Sequence, residues 1–242
     1  MSLTKQDLDL IAKQYHENDT INDKFIEDIC QFNTYEWVFN HLKSSSKILE
    51  LGFGEGNFTE ELVKRNYNPT ILDGSEILLK KAKLKFNNLV KTEHALFEEF
   101  NPQTNYDAIL ATHVLEHVDK PVLLLERMRN WLSPNGIIII IVPNCESIHR
   151  QLAVIMDLQS NLDTLGERDK LVGHQRVYSF DTLESDIIKA GYNILDKKGF
   201  FLKVLPNSMM LNFNPKLIEA LNIISNILPN NLLGNIGIVI KK

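Results

Sequence analysis

The stretch Lys47-Ile-Leu-Glu-Leu-Gly-Phe-Gly-Glu-Gly-Asn57 decides how this chain folds. Its residues Ile48 to Leu51 predict a buried strand, and three glycines at alternate positions follow directly. Glycine adopts positive φ angles without strain and lets the backbone approach a ligand closely. The run Phe58 to Lys64 predicts a helix, whose first N–H groups have no partner within the helix. Together these features predict a nucleotide-like ligand at the carboxyl end of a parallel strand.

The spacing of the glycines separates two kinds of nucleotide site. In the dinucleotide fingerprint G-x-G-x-x-G, the last glycine is the sixth residue. Here Asn57 holds that position, and the third glycine comes one residue earlier, at Gly56. The spacing therefore disfavours an NAD-dependent dehydrogenase, while a tight turn without any ligand stays open as the structural explanation. Asp73 ends the next apolar run, about where an acid would reach a ribose.

Composition and charge exclude several classes of function. A chain of 242 residues with 44% hydrophobic and 24% charged residues is an ordinary globular protein of one α/β domain or two small ones. The net charge of −5 argues against a general nucleic-acid binder. Residues 1–10 do not resemble a signal peptide, and the longest apolar run, Gly136 to Val142, is too short to span a membrane. We expect a cytoplasmic protein without a nucleic-acid or membrane partner, and leave a homo-oligomer open.

Strands and helices alternate along the chain, which predicts an α/β fold with a mostly parallel sheet and right-handed crossovers. Predicted strands cover residues 47–52, 68–73, 89–96, 106–112, 137–142, 192–199 and 236–240. Predicted helices cover residues 55–65, 75–86, 121–132 and 182–190, and residues 133–136 predict a turn. The pattern therefore predicts seven strands with helices on both faces.

Three segments do not fit this repeating unit. Residues 1–46 form a mostly helical N-terminal extension, and residues 145–180 and 203–232 are insertions into the domain of residues 47–242. Ligands of open α/β sheets bind beyond the carboxyl ends of the strands, so segments joined there would form a lid. Covering the surface of the sheet is the alternative role.

Four segments resemble, in order and spacing, the motifs of class I S-adenosylmethionine-dependent methyltransferases. These are the E-x-G-x-G-x-G stretch that begins at Glu50, Leu72–Ser75, Tyr106–Val118 with its Leu-Glu-His-Val end, and Trp131–Asn144. The end of the chain, residues 234–242, resembles the antiparallel seventh strand of that fold. The resemblance implies a Rossmann-like sheet with an antiparallel last strand, and S-adenosylmethionine as the cofactor, with S-adenosylhomocysteine as its product. Residues 97–100 and 173–178 resemble a bacterial subgroup found near surface-polysaccharide genes.

The resemblance also implies where the cofactor would bind. Gly52 and Gly54 would let the backbone pass the methionine part, and Asp73 would accept hydrogen bonds from both ribose hydroxyls. Glu50, an acid in a buried strand, would be satisfied by loop N–H groups or by the cofactor's ammonium, because an unpaired buried carboxylate is costly. The remaining predicted cofactor residues are Gly74, Ser75, Ala95 and Leu96 at the adenine, Thr112 and His113 facing the methyl group, and Tyr15 in the N-terminal extension.

On the acceptor side, three histidines are candidate general bases because imidazole titrates near neutral pH. They are His113, His117 and His174. An anionic substrate would be bound by Arg176, Tyr178, His149 and Arg150, for which a solvated loop is the alternative.

The sequence His113-Val-Leu-Glu-His117 also matches the inverted zinc-protease signature. That site needs both histidines on one helix face, whereas His113 directly follows a predicted strand, so we expect no metal.

The predicted function is methyl transfer from S-adenosylmethionine to N or O of a small acceptor. The first candidate for this acceptor is a phosphorylated sugar, which would be anionic, or an amino-alcohol unit. The alternatives are a quinone or natural-product O-methyltransferase, and a non-catalytic partner subunit that only binds S-adenosylmethionine.

Overall fold

The computed structural model of the protein describes residues 4–14 and 24–242. The strands are β1 (Ile48–Leu51), β2 (Thr70–Asp73), β3 (Lys91–His94), β4 (Tyr106–Thr112), β5 (Leu132–Pro143), β6 (Asn193–Phe200) and β7 (Asn235–Lys241). The helices are α1 (Lys5–Ala12), α2 (Lys24–Asn40), α3 (Asn57–Lys64), α4 (Glu76–Phe86), α5 (Pro121–Trp131), α6 (Ile148–Ile155), α7 (Glu167–Leu171), α8 (Phe180–Lys189), α9 (Asn207–Met210) and α10 (Pro215–Ser225).

The strands form one sheet in the order β3-β2-β1-β4-β5-β7-β6. The pairs from β3 through to β5 are parallel, and β7 is antiparallel to both β5 and β6. The predicted Rossmann-like sheet of seven strands, with its antiparallel last strand, is therefore confirmed.

Strand β5 shows how both faces of the sheet are covered. Ile138 and Ile140 belong to a core cluster with α5 and α8, whereas Ile139 and Ile141 belong to a cluster with α2 and α3. Successive side chains of a strand point to opposite faces, so a strand covered on both sides is apolar throughout. All four isoleucines are fully buried.

Two predicted boundaries are wrong. The predicted turn at residues 133–136 lies inside β5, whose pairing with β4 moves from Tyr106↔Leu132 directly to Ala108↔Ile137. Strand β5 thus advances five residues while β4 advances two, and the extra residues bulge within the strand. Strand β3 is shorter than the predicted 89–96 because it is an edge strand with mostly exposed side chains.

The N-terminal extension covers the sheet and reaches its ligand-binding edge. Helix α2 buries Trp37 and Val38 in the core, and the Trp37 indole donates a hydrogen bond to Asp196 on β6. Helix α1 lies against α4, where the Asp9 carboxylate accepts hydrogen bonds from the Ser75 hydroxyl and the Ile77 N–H. The role of the extension as a lid stays a prediction.

Within residues 4–14 and 24–242, no helix combines the length and the apolar character that crossing a membrane requires.

Gly199 on β6 is predicted to be intolerant of a side chain. A Cβ atom there would lie 2.2 Å from the backbone oxygen of Asn230, whose side chain also accepts a hydrogen bond from the Gly199 N–H. Because backbone cannot move aside easily, Gly199→Ala should destabilise the fold by about 1–3 kcal/mol. Urea unfolding would measure the change. Gly166→Ala, at an exposed position with open space, is the control, and equal effects of the two variants would contradict the argument.

Candidate active site

The glycine loop after β1 leaves open space beside its backbone. Gly52, Gly54 and Gly56 all have positive φ, at 75°, 53° and 79°. A Cβ atom at Gly52 or Gly54 would meet nothing within 4 Å, whereas one at Gly56 would lie 2.5 Å from the ring of Phe53. Gly56 is therefore required by the packing of the loop itself, and the first two glycines present bare backbone to a cavity.

The Asp73 carboxylate at the end of β2 holds the loop in place. One oxygen accepts a hydrogen bond from the Phe53 N–H at 2.8 Å, and the other accepts one from the Ser75 N–H at 2.7 Å. A carboxylate offers about four lone-pair positions, so it can accept more than one hydrogen bond at each oxygen. Asp73 thus fixes the loop and lines the cavity at once.

Glu50 lies beneath the loop and is almost fully buried. Its carboxyl group accepts a hydrogen bond of 2.7 Å from the Thr59 hydroxyl, at the start of α3. Burial raises the pKa of Glu50 to about 8, the Thr59 hydrogen bond opposes this shift, and the negative charge of Asp73 adds to it. Without a ligand, Glu50 is therefore largely protonated at neutral pH.

A single cavity of about 690 Å³ extends from this loop across the carboxyl ends of the parallel strands. Its walls include the N-terminal helices and both insertions. The predicted residues that line it are Glu50, Gly52, Gly54, Asp73, Gly74, Ser75, Thr112, His113, His117, His149, Arg150 and His174. Tyr15 lies outside the described residues.

Arg176 and Tyr178 do not line the cavity, and their role in binding substrate stays a prediction. The Arg176 guanidinium donates hydrogen bonds to the carbonyls of Leu115, Val118 and Asp119, and so holds the turn after β4. Tyr178 is buried in the core. Of the three predicted residues in this segment, only His174 lines the cavity.

Ala95 and Leu96 were predicted at the adenine but also lie outside the cavity lining. Ala95 packs against the main core, and the Leu96 side chain lies next to Gly74, as does that of Leu8 in α1. Leu8 and Phe97 line the cavity instead.

Three histidines surround the Glu116 carboxylate after β4. His113 has a φ of 55°, rare for a residue with a side chain, and its Nδ1 lies 3.3 Å from a Glu116 oxygen. The rings of His117 and His174 meet edge to face with centroids 4.7 Å apart. Burial lowers the pKa of His117 to about 4, so it is neutral and a weak base near pH 7. Burial acts to raise the pKa of Glu116. The contact with His113 and the charges of the other two histidines outweigh burial, so this pKa lies below its ordinary value.

Asp169 in α7 joins this cluster to the insertions. One of its oxygens lies 2.9 Å from the His174 Nδ1, and the other accepts a hydrogen bond from the Arg150 guanidinium at 2.8 Å. Arg150 also donates to the carbonyls of Leu162 and Thr164. Asp169 neutralises the charge of Arg150. The main role of Arg150 is therefore to hold this wall together, and it offers little positive charge to a ligand.

Several lining residues were missed from the sequence. Lys203 lines the acceptor side of the cavity, and Asp28 and Gln31 of α2 accept hydrogen bonds from the Asn57 side chain at the start of α3. Glu116, His117 and His174 offer three ligand atoms within 4.8 Å of one another. His174 is far from the other two in the sequence, so no short motif contains all three. Glu116 and His117 belong to the Leu-Glu-His-Val segment, but the other residues lie in distant parts of the chain, so the sequence contains no signal for their grouping.

Residues 23–197, most of the chain, match the family described as methyltransferase domain. The chain belongs to the methyltransferase domain family. This membership confirms the predicted family and S-adenosylmethionine as the cofactor class. The narrower resemblance to a surface-polysaccharide subgroup stays a prediction.

Two relatives share the central part of this methyltransferase. It is similar to the mitochondrial ubiquinone biosynthesis O-methyltransferase of Schizosaccharomyces pombe, at 28% identity over 99 residues that cover 38% of this chain and 36% of that protein. It is also similar to the trans-aconitate 2-methyltransferase of Methylobacterium nodulans, at 31% identity over 105 residues that cover 43% and 40%. The chain thus spans about two fifths of the length of these relatives.

The fold of the methyltransferase is similar to that of a 1,6-didemethyltoxoflavin-N1-methyltransferase from Burkholderia thailandensis. The likeness has a TM-score of 0.60 and covers 98% of this chain and 86% of that chain, at 14% sequence identity. That protein was solved with 1,6-didemethyltoxoflavin and S-adenosylhomocysteine bound. At this identity the likeness shows the fold alone.

The raised pKa of Glu50 predicts a pH dependence of stability. Its pKa is about 8 in the fold against an ordinary value of 4.5, so the folded protein binds a proton that the unfolded chain releases between these limits. Stability should therefore fall as pH rises from 4.5 to about 8, by at most about 1.4 kcal/mol per pH unit from this group. Thermal unfolding across this interval should show a weaker decline for Glu50→Gln than for the parent. The exposed Glu98→Gln is the control, and parallel curves for the parent and Glu50→Gln would show that Glu50 has an ordinary pKa.

Asp73→Ala should weaken cofactor binding and loosen the loop together. A charge-assisted hydrogen bond contributes about 1.5 kcal/mol or more, so losing the two to the ribose should lower the affinity roughly 30- to 1000-fold. Because the backbone hydrogen bonds to Phe53 and Ser75 are also lost, the melting temperature should fall. Calorimetric titration with S-adenosylhomocysteine measures the first effect, and a variant that binds within threefold of the parent would place the ribose elsewhere.

Proposed function

We propose that this protein transfers a methyl group from S-adenosylmethionine to an oxygen atom of a small acceptor. The observation that carries the proposal is the single cavity that joins the glycine loop to the histidine cluster. One end offers bare backbone and an anchored carboxylate, and the other offers titratable side chains. Family membership supports the cofactor, and the similarity to the Schizosaccharomyces pombe O-methyltransferase supports oxygen as the acceptor atom.

The residues at the loop end fit the three parts of the cofactor. The Asp73 carboxylate suits the ribose hydroxyls as an acceptor, and the open space at Gly52 and Gly54 suits the methionine part. Leu8 and Phe97 offer apolar surface for the adenine. An ammonium group near the loop would favour the ionised form of Glu50, so its binding would release a proton from this group.

Methyl transfer requires little covalent chemistry from the protein itself. S-adenosylmethionine supplies a methyl group already activated by its bond to a sulfonium sulfur. The protein's part is to hold the acceptor oxygen in line with that methyl group, which can lower the barrier by up to about 7–11 kcal/mol. It must also remove the proton of an acceptor hydroxyl.

His113 is best placed among the predicted bases to take this proton. Its side chain is 35% exposed, it lines the cavity, and it follows Thr112 at the exit of β4. The Glu116 carboxylate at 3.3 Å stabilises the imidazolium that proton transfer would create. His117 is the weaker base because burial lowers its pKa, and His174 is held by Asp169.

The acceptor side combines a cation with histidines. Lys203 lines this wall beside His149. Burial lowers the pKa of His149 far below its ordinary value, and the charges of Lys203 and Arg150 lower it further. Lys203 therefore supports an acceptor with an anionic group, such as a phosphorylated sugar, over a neutral quinone-type phenol. A partner subunit that binds S-adenosylmethionine without turnover is the alternative from another class.

Two measurements test the proposal. Calorimetric titration should show binding of S-adenosylmethionine and S-adenosylhomocysteine and no binding of NAD, because the glycine spacing differs from the dinucleotide fingerprint. Incubation with S-adenosylmethionine and a panel of sugar phosphates, hydroxy acids, amino alcohols and phenols should then give S-adenosylhomocysteine with at least one hydroxyl acceptor. Asp73→Ala is the matched control for cofactor-dependent signal.

Three outcomes would contradict parts of the proposal. Tighter binding of NAD than of S-adenosylhomocysteine would overturn the cofactor. Cofactor binding without turnover on the whole panel would favour the non-catalytic subunit. Methylation confined to amines would move the reaction from oxygen to nitrogen.

A further inference from the structure

Glu116 is a fully buried acid that faces three histidines but has no aligned hydrogen-bond donor among the described residues. Neither of its carboxylate oxygens accepts a hydrogen bond from the residues that the structure describes. His113 Nδ1 lies 3.3 Å from one oxygen, but the two groups are not aligned as a hydrogen bond. Burying a carboxylate is costly unless it is paired or binds a metal. The arrangement is therefore incomplete without a positively charged ligand.

His117 and His174 stand beside this carboxylate at ligand spacing. One atom from each of Glu116, His117 and His174 lies within 4.8 Å of the other two. Bonds from zinc to imidazole and carboxylate ligands measure about 2.0–2.2 Å, so ligands around one ion lie about 3–4 Å apart. Small side-chain rotations are enough to close this difference.

The surroundings of His174 orient it as a ligand. Its Nδ1 lies 2.9 Å from the Asp169 carboxylate, which leaves Nε2 for an ion. A histidine that binds a metal through one nitrogen usually donates the other N–H to such a carboxylate. The segment is fixed further because the Gln175 N–H donates a hydrogen bond to the Glu116 carbonyl at 2.8 Å.

We propose that Glu116, His117 and His174 bind a divalent transition-metal ion, with Zn²⁺ as the favoured ion. Two imidazoles and one carboxylate form the ligand set of open zinc sites, in which a further position is left for water or substrate. His117 and His174 line the cavity, so the open position faces the acceptor end.

The role of this ion rests on the proposed function. A divalent cation lowers the pKa of a hydroxyl group bound to it, and would therefore make an acceptor hydroxyl acidic enough to lose its proton to His113. The oxygen then forms the new C–O bond as the C–S bond breaks, and the electron pair of that bond returns to sulfur. The products are the methyl ether, S-adenosylhomocysteine and the proton on His113.

Metal binding can be measured without any turnover. The full chain is stripped with a chelator, dialysed and titrated with ZnCl₂, and with MnCl₂ in a parallel experiment. The parent should retain about one Zn²⁺ per chain after gel filtration. Glu116→Gln and His174→Asn should lose this ion, and Asp169→Asn should bind it about 10- to 100-fold more weakly because the orienting carboxylate is gone.

The control variant is His41→Asn. His41 also pairs with an acid, with its Nε2 3.2 Å from Asp196, but it lies outside the cavity, so the variant should bind zinc as the parent does. Thermal unfolding identifies variants that fail to fold, and Asp169→Asn, which keeps all three ligands, then carries the test. Loss of zinc in His41→Asn, or retention of it in Glu116→Gln, would overturn the site.

Titration with S-adenosylhomocysteine separates this inference from the proposed function. A parent that binds S-adenosylhomocysteine and methylates an acceptor in excess chelator, and retains no zinc, would overturn the metal site alone. A parent that retains zinc through these three residues but does not bind S-adenosylhomocysteine would overturn the proposed function and leave the metal site standing.

Discussion

The rest of the site depends on one carboxylate that joins two turns. Asp73 accepts hydrogen bonds from the Phe53 N–H in the first loop and from the Ser75 N–H in the second. Those loops follow neighbouring parallel strands, whose carboxyl ends meet at one edge of the sheet. With both loops held, the glycine backbone stays clear of side chains, and Ser75 can cap α4 and contact α1. A substitution of Asp73 therefore affects the glycine loop, the start of α4 and the cavity wall.

Two buried acids mark the two ends of the cavity and are in opposite protonation states. Glu50 is surrounded by apolar strand residues and by another acid, so burial dominates and its carboxyl group holds a proton. Glu116 is buried at least as deeply, but three histidines stand around it and favour the charged form. The same side chain in two environments thus gives a neutral group at the cofactor end and an anion at the acceptor end. This contrast follows from the neighbours of each acid, because both are buried in the sheet region.

The sequence was informative where function depends on backbone and on local order. The glycine spacing, the acid at Asp73 and the alternation of strands and helices are local patterns, and the mostly parallel sheet, the positive φ angles of the loop and the cavity beside it agree with them. The surroundings that the sequence could not predict depend on contacts between distant segments. Arg176 was expected to meet a substrate anion, but backbone carbonyls more than fifty residues earlier satisfy its guanidinium. The set of Glu116 with His174 could not be assembled because it depends on how the insertion folds back on the turn after β4, whereas the local spacing pairs His113 with His117.

The position of β7 has a consequence for how the polypeptide is made. This strand lies between β5 and β6, although it follows both of them in the chain. During synthesis, the isoleucine-rich edge of β5 therefore emerges well before the strand that will pair with it, and β6 has no neighbour until β7 arrives. Unpaired apolar edges of this kind are sites where nascent chains associate with one another. The sheet is therefore complete only when residues 235–241 have paired with both β5 and β6.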